Sequence, residues 1–319
     1  MHRLPRSAAT AFRMTLRSTL RSTLRQALPV ALCTALLATA ASAQEIDTLR
    51  KIKESGTLNI GSRDSSIPFS YKPTGSGDPI GFSNDICLKI ADAVKAKLGL
   101  PALRVQYTLL TSLNRIPLMQ NGTVDLDCAT TTNSVARQQY VNFAPSHFVT
   151  NITVAVKKNS GIQSLADLAG KTVATVAGST SIQLLRTYKR AENLEVQEIS
   201  GKDTADAFLL LASDRAAAYV LDDVQLAGLI ATAPNPGDFR ILKDVVLRQE
   251  PYGIMLRKND PQFQALVDET VTGLMKSGEM ERLYARWFTQ PIPPSSVNLN
   301  FPMSDAVREA YRNPISKGV

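Results

Sequence analysis

Histidine, cysteine and aromatic residues are scarce in this chain, with two His, three Cys, one Trp and 6% aromatics among 319 residues. So few soft ligands at such spacing exclude a metal site of His and Cys, and three Cys exclude a small disulfide-stapled scaffold. Also missing are a Gly-x-Ser-x-Gly elbow, a Walker loop, a Gly-x-Gly-x-x-Gly after a strand and a His-Glu-x-x-His pair. Acid–base catalysis would fall to carboxylates, Lys or Tyr, because His147 lies in a segment expected to join two lobes. The inventory favours binding over catalysis, and it calls for no cofactor.

Acidic residues are absent from the first 43 positions, which carry Arg3, Arg6, Arg13, Arg17, Arg21 and Arg25. An apolar stretch from Leu28 to Ala41 follows, and Ala41-Ser42-Ala43 offers small residues for cleavage before Gln44. The pattern predicts an export signal over residues 1–43, cut after Ala43, and hence a periplasmic protein. A mitochondrial presequence would share the Arg and Ser without acids, but the apolar core and Ala-x-Ala favour export. The stretch is shorter than the ~20 residues a membrane-spanning helix needs. Of the formal charge of +8, six units sit on those arginines, so the rest of the chain is nearly neutral. With no Lys/Arg run and no basic helix face, nucleic acid is not an expected partner. In an oxidising compartment Cys87 and Cys128 favour a bridge over two buried free thiols.

What the chain does have is an apolar content of 44% arranged in β-rich runs alternating with helical periodicity, the pattern of an α/β fold with mostly parallel sheet. Thr57 to Gly61 reads as a strand. Ile86, Ile90, Val94 and Leu98 form one helix face, closed by Gly99 and Pro101. Leu103 to Leu109 is a further strand, Ser112 is expected to cap a short helix, and Val124 to Ala129 is a buried strand. A second series repeats the plan from Ile152 to Leu221, and Pro261 to Phe288 is helical with a break at Ser277-Gly278. The tail from Pro291 is expected to wrap the surface. No Ser/Gly linker divides the two series, so ordered strands must join them, the best candidates being Val149 to Val156 and Val246 to Met255. The expected organisation is one lobe from residues 44–149, a second from 150–250, and a return to the first over 251–319, hinged around a cleft.

Three guanidiniums stand where elements meet loops: Arg63, Arg115 and Arg137. Each can grip a carboxylate with two parallel hydrogen bonds. Thr130-Thr131-Thr132-Asn133 follows a buried strand, at the sheet end where open α/β folds take ligands, although Thr132 or Asn133 could simply cap the next helix. Gly178-Ser179-Thr180-Ser181 precedes a helix, where amides and dipole favour an anion. Of Asp222 and Asp223, one can cap a helix and the other hold an ammonium group. Asp125 and Asp127 alternate on a strand and read as structural or solvated.

These stretches resemble the periplasmic solute-binding proteins of amino-acid ABC transporters, in particular the glutamate/aspartate branch. The matching residues are Gly61 to Tyr71, Asn114 to Gly122, Thr131-Thr132-Asn133 with Arg137, Leu221-Asp222-Asp223 with Leu226-Ala227-Gly228, and Trp287-Phe288 with Pro291 to Pro294. The resemblance spans Thr48 to about Pro302. It implies a type II two-lobed fold that closes on a free acidic amino acid, works as a monomer and presents its closed form to a membrane permease. It further implies that Arg137, Thr132 and Thr180 hold the α-carboxylate and Asp222 the α-ammonium. Arg63, Arg115 and Ser112 would face the side-chain carboxylate, with Thr130 a further polar contact. The chain departs from the branch where Thr204 follows Lys202-Asp203, a place that carries His in the branch, and where Thr130 replaces a Ser. Two buried guanidiniums facing a neutral side chain would be left uncompensated, which keeps an acidic ligand the expectation. Two other readings share the fold: a dehydratase of cyclohexadienyl substrates, which would need a Glu in the cleft, and a sensor docking on a membrane receptor.

Overall fold

The computed structural model describes residues 47–319. The expected export signal and its cleavage after Ala43 lie outside the described residues.

Two sheets carry the fold, each with its own apolar core. In the first, Thr57–Ser62 is an inner strand, parallel to Arg104–Leu109 on one side and Leu126–Asp127 on the other. Its apolar residues Leu58 and Ile60 are fully buried, and the strand is buried along nearly its whole length. Helix Phe82–Leu98 covers this sheet through Ile86, Ile90 and Val94, and ends where Gly99 turns left-handed at φ 63°. In the second sheet Ala218–Asp222, Thr172–Val176 and Gln197–Gly201 run parallel side by side.

Each sheet holds one strand against the rest. In the first it is Met255–Arg257, antiparallel to both of its neighbours, and in the second it is Phe148–Lys157. Phe148–Lys157 contains one of the segments expected to join the lobes, and Met255–Arg257 begins where the other, Val246 to Met255, ends. A direct extended crossing, unlike a βαβ unit, delivers the chain to the next sheet in the opposite sense. The two crossings also pair with each other, since Arg248–Tyr252 lies antiparallel to the start of Phe148–Lys157, with Tyr252 opposite Phe148.

The scarce aromatics are concentrated where these crossings leave the first sheet. Phe148 stacks on Tyr252, Tyr284 and Phe288 at centroid distances of 5.9, 6.0 and 5.1 Å, and Phe69 meets Phe148 edge-on at 4.9 Å. Such pairs add about 0.5–1.5 kcal/mol each beyond buried area, so the base of the crossings is anchored firmly. His147 lies against this cluster, fully buried, with Nε2 3.0 Å from Ser83 Oγ. Burial pulls its imidazole down to about 3, so it stays neutral at physiological pH.

Cys87, on the helix Phe82–Leu98, is bonded to Cys128, just past the strand Leu126–Asp127, across a sequence separation of 41. Loop-closure entropy assigns such a bridge about 4 kcal/mol. Reduction, or the double change Cys87→Ser and Cys128→Ser, is expected to lower the melting temperature by roughly ten degrees. Two free thiols counted in the unreduced protein would contradict the bridge.

The tail, mostly exposed, runs over the surface but is not irregular throughout. It forms a helix, Asp305–Arg312, that buries Val307 and Tyr311 and docks through Tyr311 Oη on the His147 carbonyl at 3.0 Å. Beyond it, Ser316 accepts from Asn133 and Gln138, and Val319 pairs with the backbone of Asn133 and Val135. The end of the chain thereby straps the loop that leads to Arg137.

Candidate functional site

The helix caps around the cleft are made by neighbours of the expected site residues. Thr111 and Asn114 bond each other's backbone amides at 2.7 and 3.2 Å, and the helix starts at Arg115. Ser112 therefore does not cap, as its position suggested, and instead faces the cleft. Ser134, rather than Thr132 or Asn133, caps the helix Val135–Gln138. Ser179 caps Thr180–Ala191, leaving the Thr180 hydroxyl free for other partners. Asp223 accepts from Thr150 Oγ1 at 2.7 Å and from Asn151, tying its helix to the crossing strand, while Asp222 makes no capping bond.

The cavity between the sheets is lined by Arg63, Ser112, Arg115, Thr130, Thr132, Thr180, Thr204 and Asp222, with Val176, Ser179, Leu221 and Gln225 completing the wall. Arg137 stands behind this layer, its Nη1 donating to the Thr132 carbonyl at 2.8 Å. In this conformation the walls touch: Thr132 and Thr180 hydroxyls are 3.4 Å apart, and Thr130 reaches Gln225 at 3.4 Å. About 20 Å³ is left for a water-sized sphere, room for one water and not for an amino acid. Thr204 is committed elsewhere. Its Oγ1 donates to the Ser65 carbonyl at 2.9 Å and lies 2.9 Å from the Ser65 hydroxyl.

The charges are the distinctive part. Arg63 is 3% exposed and Arg115 4%. Arg115 Nη1 donates to Thr131 Oγ1 at 2.6 Å, and that hydroxyl donates to Asp127 Oδ2 at 2.6 Å. Asp127 is thus structural, and its task is to aim Arg115. Asp125 is structural as well, accepting from Lys51 at 2.8 Å and Arg257 at 3.0 Å. Arg63 makes no side-chain hydrogen bond or ion pair among the described residues. Burial first, then the Arg115 guanidinium, pulls Arg63 down to about 10 and Arg137 down to about 9. Asp222 is pushed the other way, to about 7, by burial and then by the nearby Glu250 carboxylate. It accepts from Tyr252 Oη and, at 2.8 Å, from Gln225 Nε2.

Setting aside the Glu250–Arg248 pair and the partly exposed Asp203, three guanidiniums face two buried carboxylates, Asp127 and, when ionised, Asp222, so the site carries at least one uncompensated positive charge. An anion of net charge −1 neutralises it, whereas a neutral zwitterion leaves it buried and unpaired.

Sequence reasoning did not single out Glu250, Gln225, Tyr252 or Ser65. Glu250 is fully buried on the second crossing strand, and Oε2 accepts from Thr132 and Thr180, each at 2.7 Å. Nothing local marks it, because both threonines are distant in sequence.

A profile of the bacterial extracellular solute-binding proteins, family 3, matches residues 58–290. The L-glutamate/L-aspartate-binding protein of Pseudomonas aeruginosa is 45% identical over 284 residues, covering 89% of this chain and 94% of that protein. The glutamate/aspartate import solute-binding protein of Escherichia coli is 40% identical over 296 residues, covering 90% and 97%. Among solved structures, an ancestral amino acid-binding protein, a precursor of cyclohexadienyl dehydratase, superposes with a TM-score of 0.66 at 28% identity, over 76% of this chain and all of that one.

Proposed function

Because the chain belongs to the bacterial extracellular solute-binding proteins of family 3 and has their two-lobed type II fold, we propose that it is the periplasmic binding component of an amino-acid ABC importer and takes glutamate or aspartate in its cleft. The observation that carries this reading is the positive charge left uncompensated among Arg63, Arg115, Arg137, Asp127 and Asp222. Its relatives are solute-binding proteins and not enzymes. No Glu is among the residues that line the cavity; the nearby Glu250 accepts hydrogen bonds at both oxygens, from Thr132, Thr180 and Arg248.

In this reading residues 44–149 and 251–319 form one lobe and residues 150–250 the other. The ligand meets Arg115 and Arg137 on the first lobe, and Thr180 and Asp222 complete the site as the second lobe closes. Arg137, Thr132 and Thr180 hold the α-carboxylate, Asp222 the α-ammonium, and Arg63, Arg115 and Ser112 the side-chain carboxylate. Thr130 adds a polar wall. Thr204 lines the cavity and also latches Ser65. Closure is driven by contacts that exist only when both lobes meet the same molecule. The protein acts after removal of residues 1–43, as a monomer that hands its ligand to permease subunits in the inner membrane.

Thermal unfolding with single amino acids tests the reading. A ligand at 100 times its dissociation constant stabilises by about 2.7 kcal/mol, which for a chain of this size raises the melting temperature by roughly 5–10 °C. L-Glutamate and L-aspartate are expected to do so. A rise with L-arginine and none with either acid would overturn the acidic ligand.

A further inference from the structure

Arg137 rides on a helix of four residues, Val135–Gln138, too short to hold its shape unaided. Its side-chain hydrogen bond among the described residues returns to the same stretch of chain, at the Thr132 carbonyl. What aims the guanidinium must therefore come from outside this turn.

Residues 315–319 grip the turn from both flanks. Val135 N donates to the Val319 carbonyl at 3.0 Å, and Val319 N donates to the Asn133 carbonyl at 3.2 Å. The Ser316 carbonyl accepts from Asn133 Nδ2 at 3.0 Å and from Gln138 Nε2 at 2.9 Å, and Gln138 Nε2 also reaches Asn133 Oδ1 at 2.8 Å. The segment is tethered in turn, since the Ile315 carbonyl accepts from Ser146 N at 3.1 Å and Tyr311 Oη donates to the His147 carbonyl at 3.0 Å. The strap thus runs from the aromatic base of the crossings to the turn that carries Arg137.

Two features separate it from ordinary packing. None of residues 315–319 is buried, and Ile315 is 58% and Val319 42% exposed, so the segment adds directed backbone bonds and no core side chain. Gly318 also approaches the turn so closely that a Cβ there would stand 2.9 Å from the Ser134 carbonyl carbon and the Val135 nitrogen. Only a residue without a side chain fits.

We propose that residues 315–319 position Arg137 for the ligand's α-carboxylate, with Gly318 the residue that lets them reach it. This deepens the functional reading above and rests on its assignment of Arg137. A guanidinium grips a carboxylate through paired, directional bonds, so a turn free to shift loses that geometry. Arg63 and Arg115 stand on other elements, just past the strand Thr57–Ser62 and at the start of the helix Arg115–Gln120, and bond nothing in the strap. The strap therefore acts on one end of the ligand and leaves the other alone.

Gly318→Val and Gln138→Ala test this in the full chain. The first pushes the strap off the turn, and the second removes the side-chain amide that joins Asn133 to Ser316. Each is expected to weaken L-glutamate about 10- to 150-fold in calorimetric titration, the worth of a hydrogen bond to a charged group. L-Isoglutamine, in which the α-carboxylate is an amide, should weaken far less. The preference for L-glutamate over L-glutamine, read at the other end of the ligand, should stay as in the wild type. In unliganded Gly318→Val, hydrogen exchange should quicken at Gln138 and Tyr140, whose amides bond to the Ser134 and Arg137 carbonyls within the turn and not to the strap. Equal weakening of all three ligands, or an L-glutamate affinity within about twofold of the wild type in both variants, would overturn the positioning role. A wild type that fails to bind L-glutamate would overturn the functional reading instead. The exchange at Gln138 and Tyr140 would still decide whether the strap fixes the turn, and unchanged rates there would overturn it.

Discussion

Asp222→Asn is expected to weaken L-glutamate binding by roughly 150- to 5,000-fold, because removing one partner of a buried ion pair costs about 3–5 kcal/mol. The unliganded variant should melt within a few degrees of the wild type. Its amide can still accept from Tyr252, the Gln225 amide can turn to suit it, and the repulsion from Glu250 disappears. The wild type should also show a pH signature. In the unliganded protein Asp222 is pushed up to about 7, so below that pH it holds a proton that an incoming ammonium group must expel. Affinity is expected to fall by up to about tenfold per pH unit between pH 7 and 5, and the dependence should vanish in Asp222→Asn. His147 cannot produce it, since burial holds that imidazole at about 3. The same shift makes a stability statement. A carboxylate raised from 3.8 binds more protons folded than unfolded, so its contribution to the unliganded protein declines as pH rises from about 4 to 7. Calorimetric titration across pH checks the binding half. A Asp222→Asn variant with wild-type affinity at neutral pH would remove Asp222 from the site.

Arg63→Met is expected to separate function from stability. A buried guanidinium without a protein partner, pulled down by burial and by Arg115, burdens the unliganded fold, so its replacement by an apolar chain of similar length should raise the melting temperature. Affinity for L-glutamate should fall about 10- to 150-fold, the worth of a hydrogen bond to a charged group. Affinity for L-glutamine should change far less, so the preference for the acid collapses. If both ligands weakened equally, Arg63 would be shaping the site rather than reading the side-chain carboxylate.

Much of the fold is legible because it rests on short-range patterns. The four-residue spacing of Ile86, Ile90 and Val94 and the extended segments around residues 149–156 and 246–255 appear in the structure as a helix face and as strands. The helix Asp305–Arg312 escaped notice because only Val307 and Tyr311 mark its buried face, too few for a periodic signal. At the site, the residue types that bind anions could be read, but not which of two neighbours caps a helix. Ser134 and Ser179 take that task and free Thr132 and Thr180, a choice set by backbone geometry. The partners that span the cleft were out of reach for the same reason: Ser65 meets Thr204 across 139 residues and Thr132 meets Glu250 across 118. A Glu on a strand gives no sign of being fully buried until both lobes are in place.

Positive charge left uncompensated among Arg63, Arg115, Arg137, Asp127 and Asp222 is what we propose makes the cleft a site for an amino acid with a second carboxylate. Side-by-side calorimetric titration of the purified protein with L-glutamate and L-glutamine, which differ by that charge alone, tests it most directly. The account predicts binding of L-glutamate at least about 100-fold tighter than L-glutamine, as expected where a buried charge would otherwise be left unpaired. Equal affinities, or tighter binding of L-glutamine, would contradict it.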